Sequence, residues 1–135
     1  MRFIGAMAMA AGLVPAPAAA QEVRAEQVER VRFAPGATSA TLRGRICGYQ
    51  MVDYLVNARA GQRMEVRFAA RGRFTYYVVR APGSQDNLFD GTTSGDTARL
   101  TLPASGDYRI RVFQMRNAAR RGETSNYSLT VRIEP

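Results

Sequence analysis

Tyr127-Ser128-Leu129-Thr130-Val131-Arg132-Ile133 is the stretch on which the fold class turns. Tyr127, Leu129, Val131 and Ile133 alternate with Ser128, Thr130 and Arg132. Successive side chains of an extended chain point to opposite faces, so this stretch sets one face on a core and the other in water. The same period of two recurs toward the N-terminus, where Ala98, Leu100 and Leu102 alternate with Thr97, Arg99 and Thr101. Met64, Val66 and Phe68 alternate in the same way with Arg63, Glu65 and Arg67. Further strands are expected over 28–33, 41–47, 52–58, 74–80 and 108–115. Pro35-Gly36, Ala60-Gly61-Gln62, Arg71-Gly72, Pro82-Gly83 and Ser105-Gly106-Asp107 fall between apolar runs, where turns are required. The expected fold is all-β: a single antiparallel β-sandwich of about eight strands joined by short turns, with a barrel as the alternative closure.

The N-terminus reads differently. Arg2 precedes an apolar and small-residue run over 3–14 that is too short to span a bilayer, and Pro15 and Pro17 would break a helix there. Ala18-Ala19-Ala20 then precedes Gln21, the short-side-chain pattern that a signal peptidase accepts. Residues 1–20 are therefore expected to be a secretory signal peptide cleaved after Ala20. Residues 21–135, 135 − 20 = 115 in number, form the domain. The expected location is the periplasm, with no membrane attachment after cleavage.

Composition limits the chemistry. Cys47 is the single cysteine, so an internal disulfide is impossible and an apolar core must supply the stability. Its neighbours Ile46 and Gly48 suggest a half-buried strand thiol, an intermolecular bridge being the other option. The chain has no histidine, which removes the usual base for a Ser or Cys nucleophile and the commonest zinc ligand. No pair of carboxylates is singled out by its surroundings for glycoside chemistry. Asp86, Asn87, Asp90 and Asp96 lie in a Gly-containing loop over 81–96 and have oxygen ligands to offer calcium, but their spacing does not match an EF-hand. The reading is a protein that is not an enzyme, with no catalytic residue, no metal and no cofactor.

Nineteen Lys+Arg residues, all of them arginine, face 11 Asp+Glu, a net charge of +8. Removing Arg2 with the signal leaves 18 − 11 = +7. Such a balance favours anionic partners such as nucleic acid, acidic headgroups or a carboxylate-lined cleft. The arginines are scattered along the chain, which reads as a solvated basic surface, and export argues against nucleic acid.

Two segments are neither good core nor ordinary turn: Gly48-Tyr49-Gln50-Met51-Val52-Asp53-Tyr54, and the stretch over 102–127. Within the second, Leu102-Pro103-Ala104-Ser105-Gly106-Asp107-Tyr108, Arg109-Ile110-Arg111-Val112 and Met115-Arg116-Asn117-Ala118-Ala119-Arg120 follow one another. This order resembles the C-terminal signature of the periplasmic inhibitors of g-type lysozyme. Gly48-Tyr49 and Ala60-Gly61-Gln62 sit where that family has similar residues, and the resemblance covers most of the chain after residue 20.

The resemblance implies a β-sandwich related to bacterial pre-peptidase C-terminal domains. It also implies a g-type lysozyme as protein partner, its active-site cleft blocked by loops that carry Arg and Tyr. Carried over residue by residue, it makes Tyr49, Arg116 and Arg120 contact residues, with Ser105, Gly106 and Tyr108 building a neighbouring loop. A guanidinium fork pairs bidentately with a carboxylate, and tyrosine fills a pocket at little rotamer cost. A helical turn at Ala118-Ala119 would bring Arg116 and Arg120 to one side, four residues apart. The competing readings are loop charges for Arg120 and Arg121 and core aromatics for Tyr49 and Tyr108, the core being favoured for Tyr108. The alternative function is a non-catalytic envelope binding module, like a peptidase C-terminal domain, for sugar, peptidoglycan or protein.

Overall fold

The computed structural model describes residues 26–135, so the expected signal peptide over 1–20 and its cleavage point lie outside the described residues. The elements are β1 (Glu26–Arg30), β2 (Ser39–Cys47), β3 (Met51–Ala58), β4 (Arg63–Ala70), β5 (Thr75–Arg80), β6 (Asn87–Asp90), α1 (Gly91–Ser94), β7 (Thr97–Thr101), β8 (Gly106–Gln114), α2 (Arg116–Arg120) and β9 (Thr124–Glu134). They form a five-stranded sheet in the order β1-β3-β8-β5-β6 and a four-stranded sheet in the order β2-β9-β4-β7. The two sheets face each other as the alternating pattern requires, a β-sandwich and not a closed barrel.

Two details differ from the expectation. The sheets are antiparallel except that β1 pairs with β3 in parallel, Glu26 against Met51 through Arg30 against Leu55. Strand β2, which separates them in sequence, belongs to the opposite sheet, so the chain crosses the sandwich and re-enters in its original direction. A ninth strand, β6, also forms inside the stretch read as a loop. It is only four residues long and holds the edge of β5 across a register shift at Val79/Arg80, with Phe89 stacked on Tyr77 at 5.4 Å.

The core lies between the sheets and is built from the residues whose alternation points inward: Ile46, Tyr54, Val66, Tyr77, Ile110 and Leu129 among them. Tyr54 and Tyr127 share a buried hydrogen bond of 2.7 Å between hydroxyls. Burial pushes both tyrosine pKa values upward, so the pair stays neutral. Cys47 corrects the half-buried reading. It is the last residue of β2 and exposed, while Ile46 takes the inward position; the thiol donates to the Gly122 carbonyl at 3.4 Å.

Strand β8 runs from one end of the sandwich to the other. Its nine residues hold those ends roughly 26 Å apart at about 3.3 Å per residue. One end carries the β2–β3 turn and α2; the other carries the β3–β4 and β7–β8 turns.

Candidate functional site

At the α2 end, the chain leaves β8, makes one helical turn over Arg116–Arg120 and enters β9. Ala118 and Ala119 bury against the sandwich, which sends Arg116 and Arg120, four residues apart, out to solvent on a common side. The tight turn between β2 and β3 lies against this segment. Gly48 adopts φ 61, a left-handed conformation that suits glycine, and its amide donates to the Glu123 carbonyl at 2.9 Å. The Gln50 amide closes the turn onto the Cys47 carbonyl at 3.1 Å, and Tyr49 at its tip is 59% exposed.

A residue absent from the sequence reading ties these pieces together. Gln114 is only 7% exposed, and its side-chain amide donates to the carbonyls of both Gly48, at 3.3 Å, and Glu123, at 2.8 Å. It continues the inward series Tyr108, Ile110, Val112, where another apolar residue would be expected. That break in the alternation was the available signal. Because Gln114 spans the turn that carries Tyr49 and the chain leaving α2, it is a positioning residue for both.

The charges at this end are unevenly satisfied. Arg121 pairs with Glu123 at 2.6 Å, whereas Arg116 and Arg120 have no carboxylate within ion-pair distance among the described residues. Met115, 39% exposed, adds an apolar contact surface beside them. Arg73 lies over the Phe74 ring at 5.6 Å in the neighbouring β4–β5 connection. An exposed aromatic, a flexible apolar side chain and two uncommitted guanidinium forks make a surface suited to a carboxylate-bearing protein cleft.

Ser105, Gly106 and Tyr108 lie at the opposite end and are not brought together with the others. The Ser105 hydroxyl accepts the Ala60 amide at 2.9 Å, joining the β7–β8 and β3–β4 turns. Gly106 has φ 141 and lies so close to Pro82 that a Cβ would approach it to 2.9 Å. Tyr108 is completely buried, its hydroxyl accepting the Ala104 amide at 3.1 Å and donating to the Ala104 carbonyl at 2.5 Å. Next to them, Asp107 accepts from Arg30 at 2.9 and 3.0 Å and from Asn57 at 3.0 Å. The Arg30 guanidinium, aided by Asn57, holds the Asp107 carboxyl far below the usual carboxylate range.

Two other charged regions are occupied internally. On the outer face of the five-stranded sheet, Asp53 is wholly buried under Arg109, at 2.7 Å, and Arg111, at 2.7 and 2.9 Å, and Arg111 also reaches Glu26 at 2.8 Å. In the segment over 81–96, Asp90 caps α1 by accepting the Thr92 hydroxyl at 2.6 Å and amide at 2.9 Å, which lowers its pKa. Asn87 accepts from Arg80 at 3.0 Å. No three His, Cys, Asp or Glu side chains converge among the described residues.

No protein-family model matches the sequence. The chain is 35% identical over 107 residues to the inhibitor of g-type lysozyme of Escherichia coli (strain K12), covering 77% of this chain and 79% of that protein. Its fold is similar to the crystal structure of the periplasmic lysozyme inhibitor of g-type lysozyme from Aeromonas hydrophila. There the TM-score is 0.75 at 38% identity, over 81% of this chain and 97% of that one. The pre-peptidase C-terminal domain of a collagenase from Bacillus anthracis matches with a TM-score of 0.60 over 82% of this chain and 100% of that one; at 17% identity this is a likeness of fold alone.

Proposed function

The chain belongs to the family of periplasmic inhibitors of g-type lysozyme, and from that premise we propose that it inhibits such an enzyme by presenting the end that carries Tyr49, Arg116 and Arg120 to the catalytic cleft. The observation that carries this site is the pair of arginines left without carboxylate partners beside an exposed tyrosine. Glycoside hydrolysis relies on carboxylates in a cleft, and a guanidinium that enters it pairs with one of them as water is expelled. Tyr49 fills the adjoining space with few rotatable bonds to freeze. Ser105, Gly106 and Tyr108 act at a distance, by fixing the far end of β8.

The protein works outside the cytoplasm in this reading: residues 1–20 direct export and are removed after Ala20, leaving 21–135 in the periplasm. Intact mass of the protein from an osmotic-shock fraction checks this. A chain starting at Gln21 is expected, and a full-length chain in the cytosol overturns it. Inhibition is tested by adding the folded protein to g-type, c-type and i-type lysozymes and following lysis of a cell-wall suspension. Stoichiometric loss of g-type activity is expected. Unchanged lysis by g-type enzymes at excess protein refutes the proposal and leaves the envelope binding module.

A further inference from the structure

Arginines that are scattered in sequence gather in space on the outer face of the four-stranded sheet. The register sets Arg43 of β2 opposite Ser128 of β9 and Arg45 opposite Asn126; Arg63 of β4 lies between Glu134 of β9 and Thr101 of β7. In the adjacent row Arg132, Glu65 and Arg99 stand side by side, and Arg67 follows next to Thr130 and Thr97. The strands thus present six arginines (Arg43, Arg45, Arg63, Arg67, Arg99 and Arg132) against two acids, Glu65 and Glu134.

The acids are already shared. Glu65 pairs with Arg67 at 3.4 Å and Arg99 at 3.2 Å, and Glu134 with Arg132 at 3.7 Å. Arg43, Arg45 and Arg63 have no ion-pair partner among the described residues. The face holds two shallow depressions. One, of about 600 Å³, has Ala69 and Ser128 between Arg43 and Arg71; the other, of about 400 Å³, lies among Arg63, Arg99 and Arg132 with Glu65 and Glu134 in its lining. The outer face of the five-stranded sheet behaves differently: its arginines at 30, 109 and 111 are matched by Asp107, Asp53 and Glu26, and Arg80, which has no ion-pair partner among the described residues, donates to Asn87 at 3.0 Å.

Against the sequence expectation of no membrane attachment after cleavage, we infer that the outer face of the four-stranded sheet is a docking surface for an anionic lipid membrane, with the unpaired arginines meeting headgroup phosphates. Four adjacent strands carry these arginines, so the charge is spread over a sheet surface and not confined to one turn, as an array of headgroup phosphates demands. None of the exposed large hydrophobic residues, Val28, Tyr49, Leu88 and Met115, lies on these strands, so attachment is electrostatic and reversible, without insertion. The lack of an aromatic platform also leaves single-stranded nucleic acid and sugar rings without a stacking partner. The face runs along the length of the sandwich, while Tyr49, Arg116 and Arg120 sit at its end; a membrane-bound molecule therefore keeps that end free. This inference is independent of the inhibitor reading.

The test is co-sedimentation of the purified protein, expressed from the full chain, with vesicles of phosphatidylcholine alone and vesicles that also contain phosphatidylglycerol. Binding to the anionic vesicles only, released by added salt, is expected. Each arginine at such a surface is worth about fivefold in affinity, so Arg43→Ala/Arg45→Ala/Arg63→Ala should bind on the order of 100-fold more weakly. Arg73→Ala/Arg116→Ala/Arg120→Ala, which removes the same charge from the α2 end, should bind close to wild type. If the first variant melts early, Gln at the same three positions keeps the aliphatic stems and is used instead. Equal binding to neutral vesicles, no binding to anionic ones at low salt, or equal losses in the two triple variants would each overturn the inference. Stronger retention on duplex DNA than on anionic vesicles would overturn it as well. Lysozyme inhibition is read separately, so a failed docking surface and a failed inhibitor are different results.

Discussion

At the Ser105 end of the sandwich the strand-joining polar groups find partners within the protein: the Ser105 hydroxyl with Ala60, the Tyr108 hydroxyl with Ala104, Asp107 with Arg30 and Asn57; the exposed Arg59 of the β3–β4 turn has no ion-pair partner among the described residues. At the α2 end the backbone is just as firmly tied, through Gly48, Gln114 and Glu123, yet Tyr49, Arg116 and Arg120 project without charged partners. One end uses its hydrogen-bonding capacity to hold strands together, and the other keeps capacity in reserve on a rigid base. Affinity improves when contact groups are both unsatisfied and pre-positioned, because binding then neither breaks internal bonds nor orders a loose loop. The contrast therefore points to the α2 end as the surface that meets another molecule.

The largest effect expected from this contrast is on inhibition. Arg116→Ala and Arg120→Ala should each cost about 2 to 5 kcal/mol of affinity for a g-type lysozyme if they sit in a desolvated cleft, and far less if they lie on its rim. Thermal unfolding of both variants should match wild type, since neither side chain holds another element in place. Inhibition constants equal to wild type for both would remove these arginines from the site. Tyr49→Ala should behave in the same way, because an exposed ring at the tip of a turn adds little to the core.

Gly106→Ala should reverse the pattern. A side chain at φ 141, with its Cβ 2.9 Å from Pro82, should cost about 1 to 3 kcal/mol of stability. The folded fraction should inhibit as wild type does, since the far end of β8 does not reach α2. A lowered melting temperature with unchanged inhibition is the outcome that sharpens the comparison. Loss of inhibition in a fully folded Gly106→Ala protein would break it and return the Ser105-Gly106 loop to the contact surface.

Much of this was legible in the sequence, and the remainder shows what sequence patterns carry. Alternation along 63–68, 97–102 and 127–133 identified strands because it records which face of each is buried. It was silent on β6, whose four residues are too few to show a period, and on the parallel pairing of β1 with β3, which depends on where β2 goes. The residue types of the site were readable, as was the four-residue spacing of Arg116 and Arg120. The separation from Ser105 was implied by the strand expected over 108–115, which must hold its own ends apart, although the resemblance grouped all six residues. The basic sheet face was not readable, since Arg43, Arg63 and Arg132 become neighbours only through strand order.

Ser105→Ala is a smaller test of the same contrast. It removes the acceptor for the Ala60 amide at an exposed turn, where water takes over, so a loss of about 1 kcal/mol is expected, read as the shift of the denaturant midpoint at constant slope. Inhibition should not change.

The smallest expected effect is electrostatic and appears only in acid. Asp107 titrates well below its ordinary value in the folded protein because Arg30, and then Asn57, bind its charged form. In the unfolded chain it titrates near 4. Above that value both states carry the charge, and the contribution of the pair to stability is fully present. As the pH falls through the unfolded value toward the lower folded one, the unfolded chain takes up a proton that the folded protein refuses, and the contribution is lost. Asp107→Asn cannot titrate, so the melting temperatures of wild type and variant should converge between about pH 5 and about pH 2, wild type being the more stable at the upper limit. Both partners are partly exposed, at 43% and 39% of the side chain, so added salt should shrink the difference throughout. Arg116→Ala/Arg120→Ala, by contrast, should follow wild type down the same acid limb, because at that end no carboxylate depends on either arginine. An acid limb that is unchanged in Asp107→Asn but altered in the arginine variant would mean that the internally satisfied end and the uncommitted end had been assigned the wrong way round.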